Sequence, residues 1–301
     1  MTWFVISSPE GLSSEPNQRN DWDQTILTAE PPRTSRISKK DLTLRSLRLS
    51  GKPNSYLCLL LEFDDWNLTM KVLGIDTSTS CGAVGLIDDG QVLSDTLLNI
   101  PVTHSERLLG AVESALREAR CSVEDVDGWA ISLGPGSFTG LRIGVSTVKG
   151  LAFATGKSVA GVSTLDVLAS QVSPTPYLIC PILDARKKEV YSAFYRYGER
   201  GLLRRQSGDL ALRPEDLVKK ITEQTIFIGD GVRTYRDFLF RSLPSLAIFP
   251  AAPFHLPHGS MVAKLGFELL NKGEYLNVTT FSPTYIRPSE AEVKWQETHP
   301  D

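Results

Sequence analysis

At 301 residues, with 41% hydrophobic side chains and a formal net charge of −3, the chain has the length of two ordinary domains and the balance of a globular protein. That charge excludes a uniformly basic nucleic-acid-binding surface while leaving local patches open, and no apolar run reaches the length of a membrane span. The four cysteines, Cys58, Cys81, Cys121 and Cys180, share no CxxC spacing, which predicts reduced thiols in a cytoplasmic protein rather than a disulfide framework or a zinc site.

Residues 1–69 are rich in Ser, Pro, Asn and charge and hold no sustained period. They lack the apolar core of a signal peptide, and Glu10, Glu15, Asp21 and Asp23 speak against an acid-poor transit peptide. The stretch reads as a disordered extension or a translation-start artefact, with Met70 as a credible start. From there the pattern is orderly. Residues 72–75 form a strand that ends on the polar turn Asp76-Thr77-Ser78-Thr79-Ser80. Strands over 83–87 and 91–98 flank a hairpin signal, Asp88-Asp89-Gly90. A helix over 103–120 puts Leu108, Leu109, Val112, Ala115, Leu116 and Ala119 on one stripe, with Thr103 and Glu106 as a capping box.

A strand over 129–133 then enters Gly134-Pro135-Gly136-Ser137-Phe138-Thr139-Gly140-Leu141-Arg142-Ile143-Gly144, and 141–154 has helix length and period. The spacing predicts a type II turn over 134–137, proline pre-setting its first corner and glycine taking the positive φ of the second. Ser137 or Thr139 caps the helix. A strand over 159–162 and a short helix led by Ser163 complete a first unit, 70–173. Three antiparallel strands followed by helix, strand and helix begin a ribonuclease H-like α/β unit, which actin, Hsp70 and sugar kinases use twice. Pro174 and Pro176 mark the boundary to a second unit, 174–301. There, strands over 177–183 and 190–197 flank Asp184-Ala185-Arg186-Lys187-Lys188, and helices over 217–223 and 235–239 flank a strand over 225–228. A helix over 261–271 follows, and prolines at 244, 250, 253, 257, 283 and 288 break the tail into loops. The fold expected is α/β, an actin-like duplicated ribonuclease H-like (ASKHA) fold with a degenerate second subdomain.

The glycine-rich stretch invites two familiar readings, and the residues oppose both. A P-loop needs lysine after its last glycine, where Leu141 stands; a dinucleotide fingerprint needs a third glycine where Thr139 stands. Asp76, with Thr77 and Ser78, has two readings. One is a vestigial nucleotide site, in which the aspartate orients magnesium around phosphates; the other is a turn cap that binds nearby backbone N–H groups. A metal-binding HxxxH starting at His104 would require histidine at 108, where Leu108 stands, so a metalloprotease or dedicated metal site is disfavoured. The helix after the glycine turn carries Gly140, Gly144 and Gly150, each about 1 kcal/mol worse than alanine in a helix interior. Gly140 and Gly144 share a face, and only Arg142, Ser146 and Lys149 form a polar stripe. Much of the remaining circumference therefore wants a partner, either the 103–120 helix alone or, preferably, an oligomer interface. Asp184, Arg186, Glu189 and Tyr191 read equally as a polar site or as a hairpin with a surface ion pair. Gly229-Asp230-Gly231 reads as a simple turn.

With these residues in place, the chain from Met70 resembles the TsaB (YeaZ-like) family. The matching runs are Gly74-Ile75-Asp76-Thr77-Ser78, His104-Ser105-Glu106-Arg107-Leu108-Leu109, the turn carrying Gly134, Pro135, Gly136, Ser137, Phe138, Thr139 and Arg142, the run from Leu183 to Tyr191, and Tyr285-Ile286-Arg287-Pro288. The resemblance implies a role in making N6-threonylcarbamoyladenosine at position 37 of tRNAs that read ANN codons. It implies a non-catalytic paralogue that needs no metal or cofactor of its own and pairs with TsaD, the metal-bearing transferase. TsaE joins as an ATPase, tRNA is met indirectly, and the chain forms a homodimer when alone. In the family the two helices of the first subdomain form the bundle between subunits. Carried over, the interface falls on His104, Leu108, Leu109, Val112, Gly140, Gly144, Val148 and Leu151. The competing expectation from the residues is an actin-like ATPase or small-molecule kinase acting alone through Asp76; a glycoprotease-like peptidase lacks the ligands.

Overall fold

In strand β1 (Lys71–Asp76), Leu73 and Ile75 enter one apolar cluster and Val72 a second on the opposite side, as expected of a strand buried on both faces. The computed structural model describes residues 69–99 and 104–287. The expectations for 1–68, for a capping box at Thr103 and Glu106, and for Pro288 lie outside the described residues and side chains. β1 pairs antiparallel with β2 (Gly82–Asp88), and β2 with β3 (Gln91–Leu98). Asp89 and Gly90 join the latter two, both at positive φ, as a two-residue hairpin of primed type requires. Helix α1 (His104–Glu118), β4 (Gly128–Gly134), α2 (Phe138–Thr155), β5 (Ser158–Ser163) and α3 (Thr164–Ser170) follow. β4 and β5 add in parallel, giving the order β3-β2-β1-β4-β5.

The second sheet repeats that plan. It is built from β6 (Leu178–Asp184), β7 (Val190–Ser192), β8 (Tyr195–Tyr197), β9 (Leu203–Arg205), β10 (Leu210–Leu212), α4 (Pro214–Val218), β11 (Thr225–Ile228), α5 (Gly231–Ser242) and β12 (Ala247–Ile248). Its main path, β10-β7-β6-β11-β12, has the same order and the same antiparallel and parallel senses as the first. The duplicated actin-like fold is therefore explicit, with the second copy reduced to shorter strands and helices. The single strand expected over 190–197 is broken. Phe194 donates its N–H to Ser207 Oγ and accepts from the Gln206 N–H, so the ladder switches there from β7 to β8. The helix expected over 217–223 starts earlier, with Pro214 in its first turn, where a missing N–H costs nothing.

Both faces of the first sheet are covered. α1 and α2 bury Leu108, Val112, Val145 and Val148 with Leu73, Ile75, Trp129 and Ile131 on one side. On the other lies α6 (Gly259–Asn271), whose Val262 and Ala263 join Val72, Ile87 and Ala130. A helix near 261–271 was expected with the second unit; it packs instead on the first sheet. Glycines allow this: a Cβ on Gly74 or Gly85 would run into the α6 backbone, so helix and sheet meet main chain to main chain. Asp95 of β3 fixes the start of α6, accepting from Ser260 N–H (3.0 Å) and Oγ–H (2.8 Å) and pairing with His258 (2.8 Å). α3 packs its Leu165 and Leu168 on the second sheet beside Ile179 and Leu183, and α5 covers the opposite face with Val232 and Leu239. Among the described residues, Cys81, Cys121 and Cys180 are free and no helix is long and apolar enough to cross a membrane.

Candidate functional site

The turn after β1 is self-contained. Asp76 Oδ1 accepts the Ser78 N–H at 2.9 Å, and the Ser78 hydroxyl lies 2.9 and 3.1 Å from the two carboxylate oxygens. Asp76 and Thr77 have no exposed surface, and of the three only Ser78 reaches the cavity described below. These bonds are those of a turn-capping aspartate.

The glycine turn differs from the type II form expected. The Gly134–Pro135 peptide is cis, and the positive φ falls on Gly134 rather than Gly136. Gly136 is required for another reason: a Cβ there would run into the Ser78 carbonyl oxygen, which also accepts the Ser137 N–H at 2.6 Å. Ser137 caps α2 through Oγ, accepting the Gly140 N–H at 3.3 Å, while Thr139 stays exposed. Further along α2, a Cβ on Gly140 would meet the Thr77 carbonyl oxygen and one on Gly144 the Thr77 hydroxyl. This corrects the expectation for the glycine face. Its close partner is the β1–β2 turn of the same chain, and Gly140 and Gly144 are not open to a second protein.

The remaining interface expectations divide. Leu108, Val112 and Val148 lie inside the core, Leu151 is half-buried, and Leu109 stands 59% exposed. His104 opens α1, its side chain outside the described set. Phe153 is the residue that sequence reasoning missed: it is 83% exposed near the end of α2. A signal was available, because 153 continues the polar stripe of Arg142, Ser146 and Lys149 at helical spacing. Gly110 on α1 and Gly150 on α2 have open space where a Cβ would be.

A cavity of about 1330 Å³ lies between the strand ends of the two sheets. Ser78, Thr79 and Ser80 and the turn at Gly136, Ser137 and Phe138 form one wall. Asp184 to Lys187, Asp230 and the first turns of α5 form the other. Asp184 repeats the Asp76 turn, its Oδ1 accepting the Arg186 N–H at 2.8 Å, while its own N–H donates to Asp230 Oδ1 at 3.1 Å. Burial pushes the Asp230 carboxyl up to about 6, opposed by that backbone bond and reinforced by the negative charge of Asp184. Arg186, Lys187 and Lys188 occupy the left-handed region in succession, with φ of 60°, 51° and 62°.

A C-terminal strap joins the two walls. Thr284 N–H donates to Leu133 O at 2.8 Å, and the Tyr285 ring stacks on Phe138 with centroids 4.4 Å apart. Arg142 Nε donates to the Tyr285 hydroxyl at 2.9 Å. Arg287 pairs with Glu189 and donates to Ala185 O at 2.6 Å, so the ion pair at the 184–189 hairpin is made with the strap rather than within the hairpin. Four of the five runs quoted above, those at 74–78, 134–144, 183–191 and 285–287, thus meet around this cavity. The simple turn read at Gly229-Asp230-Gly231 is part of the same wall. Among the described residues no group of three or more His, Cys, Asp or Glu is placed to hold a metal ion.

Comparison with known proteins returns a consistent set. The family model for TsaD, tRNA N6-adenosine threonylcarbamoyltransferase, matches residues 100–295. The tRNA threonylcarbamoyladenosine biosynthesis protein TsaB of Bacillus subtilis (strain 168) is 32% identical over 232 residues, covering 76% of this chain and 99% of that protein. TsaB of Escherichia coli (strain K12) is 30% identical over 231 residues, covering 74% and 96%. The solved structure of YeaZ from Pseudomonas aeruginosa superposes with a TM-score of 0.60 at 30% identity, over 72% of this chain and 100% of that one.

Proposed function

Because the chain belongs to the TsaB (YeaZ-like) family, we propose that it acts in tRNA threonylcarbamoyladenosine biosynthesis as a non-catalytic subunit that docks on and activates TsaD, with TsaE joining the pair. The observation that carries the docking part is the outward side of α1 and α2, where Leu109 and Phe153 expose large apolar side chains next to helix positions left open by Gly110 and Gly150. Apolar side chains beside glycines suit close approach of a second pair of helices. The non-catalytic part is supported by Leu108, which occupies the place of the second histidine of an HxxxH pair and is sealed in the core at 2% exposure. The interface residues of this proposal are thus Leu109, Gly110, Gly150 and Phe153, in place of Gly140, Gly144, Leu108, Val112 and Val148.

The test is co-elution. Purified chain mixed with its cognate TsaD gives a heterodimer on gel filtration, and Phe153→Asp removes it while leaving the circular dichroism and melting temperature of the chain near wild type. A heterodimer that tolerates Phe153→Asp and Leu109→Asp together would sink this assignment of the face.

A further inference from the structure

The cations of the cavity take no part in the docking proposal. Residues 177–243 hold 13 Lys and Arg against 9 Asp and Glu, whereas 70–173 hold 7 against 11, so the two repeats carry opposite net charge within a mildly acidic chain. The fold gathers part of the positive excess in one place. Arg186 and Lys187 on the β6–β7 turn, and Arg233 and Arg236 at i,i+3 on α5, all line the cavity and are all exposed. Among the described residues, no ion pair engages Arg186 or Arg233. The carboxylates on the same wall are already in use: Asp184 accepts from the Arg186 N–H and Asp230 from the Asp184 N–H. The wall therefore presents exposed guanidinium and ammonium groups beside carboxylates that already accept backbone N–H bonds.

We infer that this wall, with Arg186, Lys187, Arg233 and Arg236, is a binding surface for the phosphate backbone of an RNA, which the chain touches directly rather than only through its partner. The inference rests on the reading that the chain serves a tRNA-modifying assembly. Three features favour a polynucleotide backbone over a free nucleotide. The cations sit on two separate elements at an open rim, as suits successive phosphates, rather than converging on one. The cavity exceeds the roughly 300–1,000 Å³ usual for a small-molecule pocket. The opposite wall offers a triphosphate no free carboxylate for its magnesium, because Asp76 is fully buried and both its oxygens face the Ser78 hydroxyl. Phosphodiesters need none; neutralisation by Lys and Arg with release of counterions supplies the affinity.

The experiment is a salt titration of binding. A fluorescently labelled, unmodified tRNA transcript reading an ANN codon is titrated with the full chain, alone and mixed with TsaD, and followed by anisotropy. Arg186→Glu combined with Arg233→Glu weakens binding by about tenfold or more, and it flattens the dependence of log K on log salt by roughly two, about one for each lost phosphate contact. Lys219→Glu with Lys220→Glu makes the same change of net charge away from the cavity and leaves both quantities near wild type. Equal losses in the two double variants would overturn the inference, since charge alone would then explain them. So would unchanged RNA binding in the arginine variant, or a labelled ATP analogue that binds in an Arg186- and Arg233-dependent way while RNA does not. Should the charge reversals unfold the chain, Arg186→Gln with Arg233→Gln is read in the same assay against the same criteria. If no heterodimer forms with TsaD while the arginine-dependent titration persists, the docking proposal falls and this one stands.

Discussion

Asp76 and Asp184 close equivalent strands of the two repeats, and each accepts the N–H two residues further on, at 2.9 and 2.8 Å. In each repeat the glycine loop after the fourth strand presses on the chain beside that turn: Gly136 against the Ser78 carbonyl, Gly229 against that of Ile182. The aspartate cap and a close glycine recur in both repeats, although the carbonyl met lies two residues after Asp76 in the first and two before Asp184 in the second. Around it the chemistry has diverged, with buried hydroxyls at Thr77 and Ser78 in the first repeat and exposed cations at Arg186 and Lys187 in the second. An aspartate and a glycine suffice to hold the geometry, so the positions between them were free to change character. Both turns line the cavity, but the first buries Thr77, Ser78 and Thr79 while the second leaves Arg186 and Lys187 exposed.

That contrast can be broken most severely at the glycines. Gly140→Ala puts a methyl group against the Thr77 carbonyl and should cost about 3 kcal/mol or more, read as a fall in the urea midpoint. Gly231→Ala, whose Cβ would lie 3.0 Å from the Ile182 carbonyl oxygen at the start of a helix, should cost less than half as much. Equal losses would mean that Gly231 is as tightly enclosed as Gly140. Next come the aspartates. Asp76→Ala leaves the buried Ser78 N–H and hydroxyl without an acceptor and should destabilise by about 2–3 kcal/mol, while Asp184→Ala, half-exposed, should cost about 1 kcal/mol.

A pH dependence is expected from the second repeat as well. The folded pKa of Asp230 is raised from the ordinary 3.8 to about 6, so between those values the native chain holds a proton that the unfolded chain has released. Stability therefore falls as pH rises through this window. Asp230→Asn keeps an oxygen to accept the Asp184 N–H, and it should flatten the window and raise the midpoint at neutral pH. A variant with the slope of the wild type would place the titration elsewhere.

The strands β1 to β5 as short apolar or β-prone runs, the Asp89-Gly90 hairpin and the Ser137 cap were legible in the sequence, because each depends on residues within a few positions of one another. Two kinds of information were not. The glycines of α2 announced a close approach without saying to what; Thr77 fills that space from over sixty residues away, and no local pattern distinguishes it from a partner. The position of α6 was likewise hidden, since its apolar residues fit either sheet and the first is specified by close-approach glycines such as Gly74 and Gly85, read together with Gly259 and Gly266. Phe153 shows the converse: it continued a polar stripe already noted, and the helical period alone would have placed it outside. In the second repeat, strands of two to four residues such as β9, β10 and β12 are too short to produce a period at all.

The placement of α6 has a consequence for how the chain comes into being. Synthesis delivers β1 to β5 and the helices of their other face first, yet Val72, Ile87, Ala130 and Val162 wait for a cover encoded at residues 259–271. Until that helix has left the ribosome, one face of the central sheet is an open apolar surface with glycine gaps shaped for a helix. The second repeat, emerging in the interval, can form its own sheet without completing the first. The fold closes late, and a nascent chain halted before residue 259 is a natural client for a chaperone rather than a working half-protein.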